Sequence, residues 1–458
     1  MSTLMEEYKS KLITAEKAAQ LVKSGSKVAY GTFLAKPIDF DAALADRAIA
    51  EGLTDIAISS AGTIPPVPQV ILKDMEQKHF QYYSGYYTVV ERKLADMGAV
   101  NFIPFSYHET VDYRSAPAWH ESCERNIGVM QVCPMDKAGN FNFGIANSFN
   151  YADMRTTDIC IVEINENMPY CLGGAEKSIN IKDVDYIIEG SNEPVFAMPE
   201  SPEPSETEKQ IAKNIMPFIE DGSCIQLGIG GIPNAIGLMI AQSDLKDLGI
   251  NSEMFVDSFV DMYEAGRITN KYKTRDKGRS TYTFCFATQK TYDFMANNPL
   301  LASYNAKYTN DPKYVQMEDK VVAVNNIVEI DLLSQVASET NGLRQISGTG
   351  GQLDFTIGAY ESKGGKGILA FESTFTKKDG TVVSRIKPML TPGSAVTVPR
   401  TCVHYVATEH GIALLKGRSV WSRTEQLINL AAPEFRDELI REAQEMKIWT
   451  RTNKTALL

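Results

Sequence analysis

The stretch CIQLGIGGIPNAIG runs from Cys224 to Gly237. It reads as a short apolar strand, a tight glycine loop and a proline at the opening of a helix. Glycine lets the backbone adopt positive φ and approach a ligand closely. Pro233 suits the first helical turn, where a missing N–H costs nothing. The free N–H groups of such a helix start favour an anion or a developing oxyanion. The loop is not a Walker A motif, because no Lys-Ser/Thr pair follows. It is half a dinucleotide fingerprint, with the third glycine and the later acid misplaced. Taken alone, it fits a ligand loop and a tight structural turn equally well.

A fainter copy of the pattern lies near the start of the chain. TAEKAAQLVKSGSKVAYGTFLAKP (14–37) and TEKQIAKNIMPFIEDGSCIQLGIGGIP (207–233) each read as helix, Gly-Ser, strand, glycine turn and proline. Shared spacing over this length points to duplication. Helical stretches such as 14–23 and 207–220 alternate with buried-strand runs, KVAYG, DICIVEIN, CIQLGIG and GILAFES among them. That alternation predicts an α/β fold, with two similar open α/β domains and the active site in the cleft between them. Between the copies, PVFAMPESPEPSETE (194–208) carries four prolines in a polar setting, the composition of a linker. Ser205 and Glu208 fit a capping box that starts the next helix. The expected division is an N-terminal domain at 1–193, a linker at 194–206 and a C-terminal domain at 207–458.

The chain has 458 residues, too many for one core. Its 46 Lys and Arg stand against 57 Asp and Glu, a net charge of −11, which argues against a nucleic-acid partner. A small anionic ligand remains open, since it needs only a nest of N–H groups or a few cations. The start MSTLMEEYKSKL lacks the basic and apolar regions of a signal peptide. No apolar run approaches the ~18 residues that span a bilayer, so no membrane partner is expected. Seven scattered cysteines (Cys123, Cys133, Cys160, Cys171, Cys224, Cys285, Cys402) form no CxxC pair and read as reduced thiols of a cytoplasmic protein. Five histidines without HxxxH spacing give no metal site.

Two more glycine clusters follow, QISGTGGQLDF (345–355) and SKGGKGILAFES (362–373). Gly348, Gly350 and Gly351 make one permissive loop. Lys363 and Lys366 sit in the other and are candidates for phosphate contacts, although a solvated lysine is the plain alternative. Three such loops at strand ends predict a cleft for an extended anionic ligand. They do not select a nucleophile among the acids.

At this point the chain resembles the acetyl-CoA hydrolase/transferase family of CoA-transferases, nearest to the 4-hydroxybutyrate and butyryl-CoA:acetate enzymes. LGIGGIPNAI (227–236), SEMFVDSFVDMYEAGRITN (252–270), YTNDP (308–312) and QISGTGGQLDF (345–355) carry the resemblance. SKGGKG (362–367), VATEHGIALLKG (406–417) and DKAGNFNFG (136–144) add to it, in order over nearly the whole chain. The resemblance implies ping-pong transfer of CoA between carboxylic acids, with Glu253 as nucleophile. It implies Gly351 as an oxyanion donor and Asn310 near the reacting carbonyl. It places CoA along Gly230, Gly231, Ile232, Pro233 and Asn234, with Gly350, Gly351 and Lys366 also against the ligand. Glu409 is carried over as a substrate-side residue. CoA and acyl-CoA are then substrates, with no cofactor bound permanently. The partner acids are short-chain carboxylates, and a homodimer or larger homo-oligomer is expected. The first-half loop GTFLAKP (31–37) is less polar than the resemblance leads one to expect, and stands as a candidate wall of the acyl pocket.

Glutamate suits this chemistry because donor, enzyme and acceptor are then all carboxylates of similar leaving ability. A hydrolase using the same glutamate is the alternative, separated only by water exclusion. A ligand-sensing protein and an oxidoreductase using GIGGIP are two further readings. His404 and His410 read as ordinary partly buried histidines, and Met254, Phe255 and Phe259 as core.

Overall fold

A computed structural model describes residues 2–116 and 124–450, so Cys123 lies outside the described residues. The two copies seen in the sequence become two matching units. In the first, Thr14 caps the helix Ala15–Ala19 by accepting from the Lys17 N–H. In the second, Ser205 and Glu208 form the expected capping box on the helix Glu206–Ile215. Both helices are shorter than the sequence suggests. The first gives way to turns of the i→i+3 kind through Val22, and the second stops before Pro217, whose ring denies the helix an N–H.

The Gly-Ser turn that follows is the same in both units. Gly25 and Gly222 both take left-handed backbone, at φ +81° and +75°. The hydroxyls of Ser26 and Ser223 accept from the Lys23 and Glu220 N–H groups, each at 2.9 Å. Each turn then launches a central strand, Lys27–Tyr30 in one unit and Cys224–Leu227 in the other. The copies part after the strand. Gly31 leads into a 3₁₀ turn, Phe33–Ala35, whereas Gly228 leads directly into the helix Gly231–Gln242.

Strand Lys27–Tyr30 lies at the middle of a seven-stranded parallel sheet whose strands come from residues 27–189. Strand Cys224–Leu227 belongs to a six-stranded sheet drawn from residues 224–414. That sheet is parallel except for the closing hairpin of Tyr405–Thr408 with Gly411–Leu414. Nearly continuous burial along these strands is what helices on both sheet faces require.

The two units share one core. Phe33, Tyr107 and Phe149 from the first pack in the same cluster as Phe255, Phe259 and Phe284 from the second. The Phe33 and Phe284 rings stack at 4.1 Å. Backbone bonds cross the junction as well: the Asn147 and Ser148 N–H groups both donate to the Thr283 carbonyl at 3.1 Å, and the Ala306 N–H donates to Ser148 at 2.8 Å. Among the described residues no helix is long and apolar enough to cross a membrane.

Candidate active site

Parallel sheets collect ligands at the carboxyl ends of their strands. At that end of the second sheet lies a cavity of 170 Å³, lined by Leu227, Gly228, Ile229 and Pro233 after one strand and by Val324, Asn325 and Asn326 along the next. Gly348, Thr349, Gly350 and Gly351 close one side. Tyr86 reaches in from the first unit. The loop meets that unit so closely that a Cβ on Gly348 would press within 3.2 Å of the Tyr86 backbone.

Glu253 lies in this cavity, directly before the short strand Met254–Phe255. Its own carbonyl accepts from the Thr283 and Phe284 N–H groups, which ties its backbone to the shared core. Its carboxylate meets two predicted partners. Asn310 Nδ2 donates to Glu253 Oε2 at 2.6 Å. The Gly351 backbone N–H also favours the charged form. Gly351 is the N-cap of the helix Gln352–Glu361, so the carboxylate sits where unpaired N–H groups and the helix dipole converge. A Cβ on Gly351 would overlap both Glu253 Oε2 and Asn310 Nδ2, so only glycine fits there.

Burial pushes the Glu253 carboxyl up to about 7. The Asn310 bond works against burial, the Asp354 charge adds to it, and the Gly351 N–H opposes it. Asn310 is fully buried, and its amide is oriented by its neighbour, because the Thr309 hydroxyl donates to Asn310 Oδ1 at 2.6 Å. An enclosed carboxylate with two preset donors can attack a carbonyl and hold the oxyanion that results.

The remaining predicted residues are spread along and beyond this cavity. Pro233, Gly350 and Gly351 line it. Gly230 holds φ +119° and is exposed on the rim, while Gly231 faces the Glu208 carboxylate. Ile232 packs into the core and Asn234 lines a neighbouring groove of 510 Å³. Lys366 is not brought to the cavity. It opens its strand opposite Val322, whereas the cavity residues on that neighbouring strand run from Val324 to Asn326, roughly 7–13 Å further along at 3.3 Å per residue. There it meets Glu220 at 3.4 Å and the Gly364 carbonyl at 3.1 Å. Glu409 also stands outside the cavity lining, with its carboxylate accepting from the Ser373 N–H at 2.9 Å and from the Ser373 hydroxyl at 2.5 Å. His404 is pushed down to about 4 by burial and accepts from the Gly367 N–H at 3.3 Å.

Sequence reasoning missed two contributors. Tyr86 comes from a first-unit loop with no recognisable motif. Asp354 was within the quoted GGQLD stretch but had no assigned part. It is buried and accepts from His108 Nδ1 at 2.8 Å, the Ser106 hydroxyl at 3.1 Å and the His108 N–H at 3.2 Å. This set of bonds fastens the first unit to the helix that begins at Gly351.

Known proteins match this chain along its length. Residues 2–199 match the model of the acetyl-CoA hydrolase/transferase N-terminal domain, and residues 287–443 that of the C-terminal domain. The chain is 46% identical over 453 residues to the probable butyrate:acetyl-CoA coenzyme A-transferase of Syntrophomonas wolfei, covering 98% of this chain and 99% of that protein. It is 37% identical to the 4-hydroxybutyrate coenzyme A transferase of Clostridium kluyveri, over 95% of this chain and 98% of the other. The crystal structure of RipA from Yersinia pestis superposes with a TM-score of 0.87 at 34% identity, covering 97% and 99% of the two chains. The chain belongs to the acetyl-CoA hydrolase/transferase family and is an enzyme of its CoA-transferase class.

Proposed function

We propose that this enzyme moves CoA between acetyl-CoA and a short-chain carboxylate of the butyrate or 4-hydroxybutyrate type, through a glutamyl-CoA thioester on Glu253. The observation that carries the reading is the Glu253 carboxylate held by Asn310 and Gly351. The names of the relatives support the substrate class.

In this reading Glu253 attacks the thioester carbonyl and expels CoA thiolate, leaving a mixed anhydride. The thiolate then attacks the glutamyl carbonyl and frees the donor acid. Glu253 is left as its CoA thioester, and the acceptor carboxylate runs the steps in reverse. Each addition forms an oxyanion, which Asn310 and the Gly351 N–H are set to receive. CoA enters past Gly230, Gly231 and Pro233, and its remote contacts offset the strain at the reacting centre. Glu409 would act at the outer reaches of a bound CoA. The domain division at 194–206, a homo-oligomeric assembly and a cytoplasmic setting belong to the same reading, the last supported by the scattered thiols.

Incubation with butyryl-CoA and acetate tests it. Acetyl-CoA formed in step with free butyrate is expected. Loss of butyryl-CoA at the same rate without acetate favours the hydrolase, because water would then be the acceptor.

A further inference from the structure

The loop Gly348-Thr349-Gly350-Gly351 closes one side of the Glu253 cavity and ends at the Gly351 N–H. Three of its four residues are glycine, and Gly350 holds φ +52°. Glycine loses more backbone freedom on ordering than any other residue, so such a loop needs a fastening to keep one N–H in place. Thr349 alone in the loop has a side chain. Its hydroxyl donates to Glu339 Oε2 at 2.9 Å.

Glu339 sits in a braced corner. It is buried and stands directly before the strand Thr340–Asn341, which turns back as Arg344–Gln345. That hairpin returns the chain to Glu339, whose carbonyl accepts from the Ile346 and Ser347 N–H groups at 2.8 and 3.1 Å. The Ser347 hydroxyl donates to the Ser338 carbonyl at 3.3 Å. Thr397 holds the other side. Its hydroxyl donates to Glu339 Oε1 at 3.4 Å and accepts from the Ser338 and Glu339 N–H groups at 3.0 and 3.3 Å. The first unit presses on the loop at Gly348, where a Cβ would come within 2.5 Å of the Gly85 carbonyl oxygen. Beyond the loop, Gln352 Nε2 donates to the Asn326 carbonyl at 2.7 Å.

A hydroxyl bond to a carboxylate is charge-assisted and stronger than one to a neutral acceptor. We propose that Glu339 is a positioning residue for CoA transfer: through Thr349 it holds the glycine loop so that the Gly351 N–H stays on the Glu253 carboxylate and on the oxyanion formed there. Glu339 does not line the cavity, so it acts on the reacting centre only through the loop. The inference rests on the parts assigned above to Glu253 and Gly351.

Steady-state kinetics with butyryl-CoA and acetate, run across the acid limb, test it. Thr349→Val removes the hydroxyl with little change of shape. It is expected to lower kcat about 10-fold and to change KM by no more than about twofold, the pattern of a displaced group that acts in the transition state. The acid limb of kcat/KM is expected to move to higher pH, because the Gly351 N–H favours the charged Glu253 and a displaced one no longer does. Asp354, Tyr86 and Tyr107, the other titratable groups within reach of the Glu253 charge, are unaltered in these variants. Thr349→Ser keeps the hydroxyl and is expected to restore both kcat and the limb. Glu339→Ala should reproduce Thr349→Val, and the double variant should lose little more than either alone, since both break one bond.

Native kcat with an unmoved limb in Thr349→Val overturns the proposal, as does a raised KM alone, or a loss in Thr349→Ser equal to that in Thr349→Val. If Glu339→Ala fails to fold, the two Thr349 variants still decide. Glu253→Gln is measured alongside. Full activity there overturns the nucleophile and this inference with it, whereas an inactive Glu253→Gln beside a native-like Thr349→Val overturns this inference alone.

Discussion

Asn310 Nδ2 lies 2.6 Å from Glu253 Oε2, and Thr309 fixes the amide that makes this bond. The donor is therefore in place before any substrate arrives, and a preset donor stabilises an oxyanion without reorganising. Asn310→Ala is expected to lower kcat for CoA transfer by about 10²–10³ with little change in KM, the usual cost of one such donor. Steady-state kinetics check this. Unchanged kcat would remove Asn310 from the reacting centre.

The same bond holds the Glu253 carboxyl below the value that burial alone would give. With that carboxyl at about 7, kcat/KM should rise with pH along an acid limb centred near 7. Activity at pH 6 is then roughly a tenth of the plateau, since one unit is a factor of ten in the carboxylate fraction. In Asn310→Ala the limb should move to higher pH.

The linkage to stability has the opposite sign from an ordinary salt-bridged acid. Glu253 binds its proton more tightly folded than unfolded, so its ionisation destabilises the fold as pH rises from its unfolded value through about 7. Glu253→Gln should therefore raise the melting temperature at pH 8 and have less effect at pH 5. Calorimetry at the two values checks it.

Gly351 leaves no room for a side chain between Glu253 and Asn310. Gly351→Ala is expected to cost about 1–3 kcal/mol in stability, as overpacking does. A displacement of about 1 Å at a reacting group can cost 10²-fold in rate, so activity should fall on that order. Full activity in this variant would contradict the geometry.

His108 and Asp354 join the two units beside the site. Burial lowers the histidine, but the Asp354 bond and charge outweigh it and hold it above its ordinary value. Stability from the charged pair is complete below the unfolded histidine value and is lost as pH rises through the higher folded one. The melting-temperature gap between the native chain and His108→Gln should be widest near pH 6 and narrow above that folded value.

The central strand, glycine turn and capping signals at 205–237 were readable because they are local: each rests on residues within a turn or two of one another. The same holds for the first copy, whose Gly25-Ser26 turn repeats that at Gly222-Ser223. Contacts across the cleft were not readable. Tyr86 and His108 reach the site only because the units share a core, and no spacing in the chain records that. Lys366 shows a further limit. Its glycine loop precedes a strand rather than following it, so in a parallel sheet it falls at the end away from Glu253.

The most direct measurement is peptide mass spectrometry of the enzyme mixed with acetyl-CoA and no acceptor acid. A CoA-sized adduct on the peptide containing Glu253, absent from Glu253→Ala, is the predicted result. Consumption of acetyl-CoA with no adduct, and equal activity in Glu253→Ala, would contradict the account.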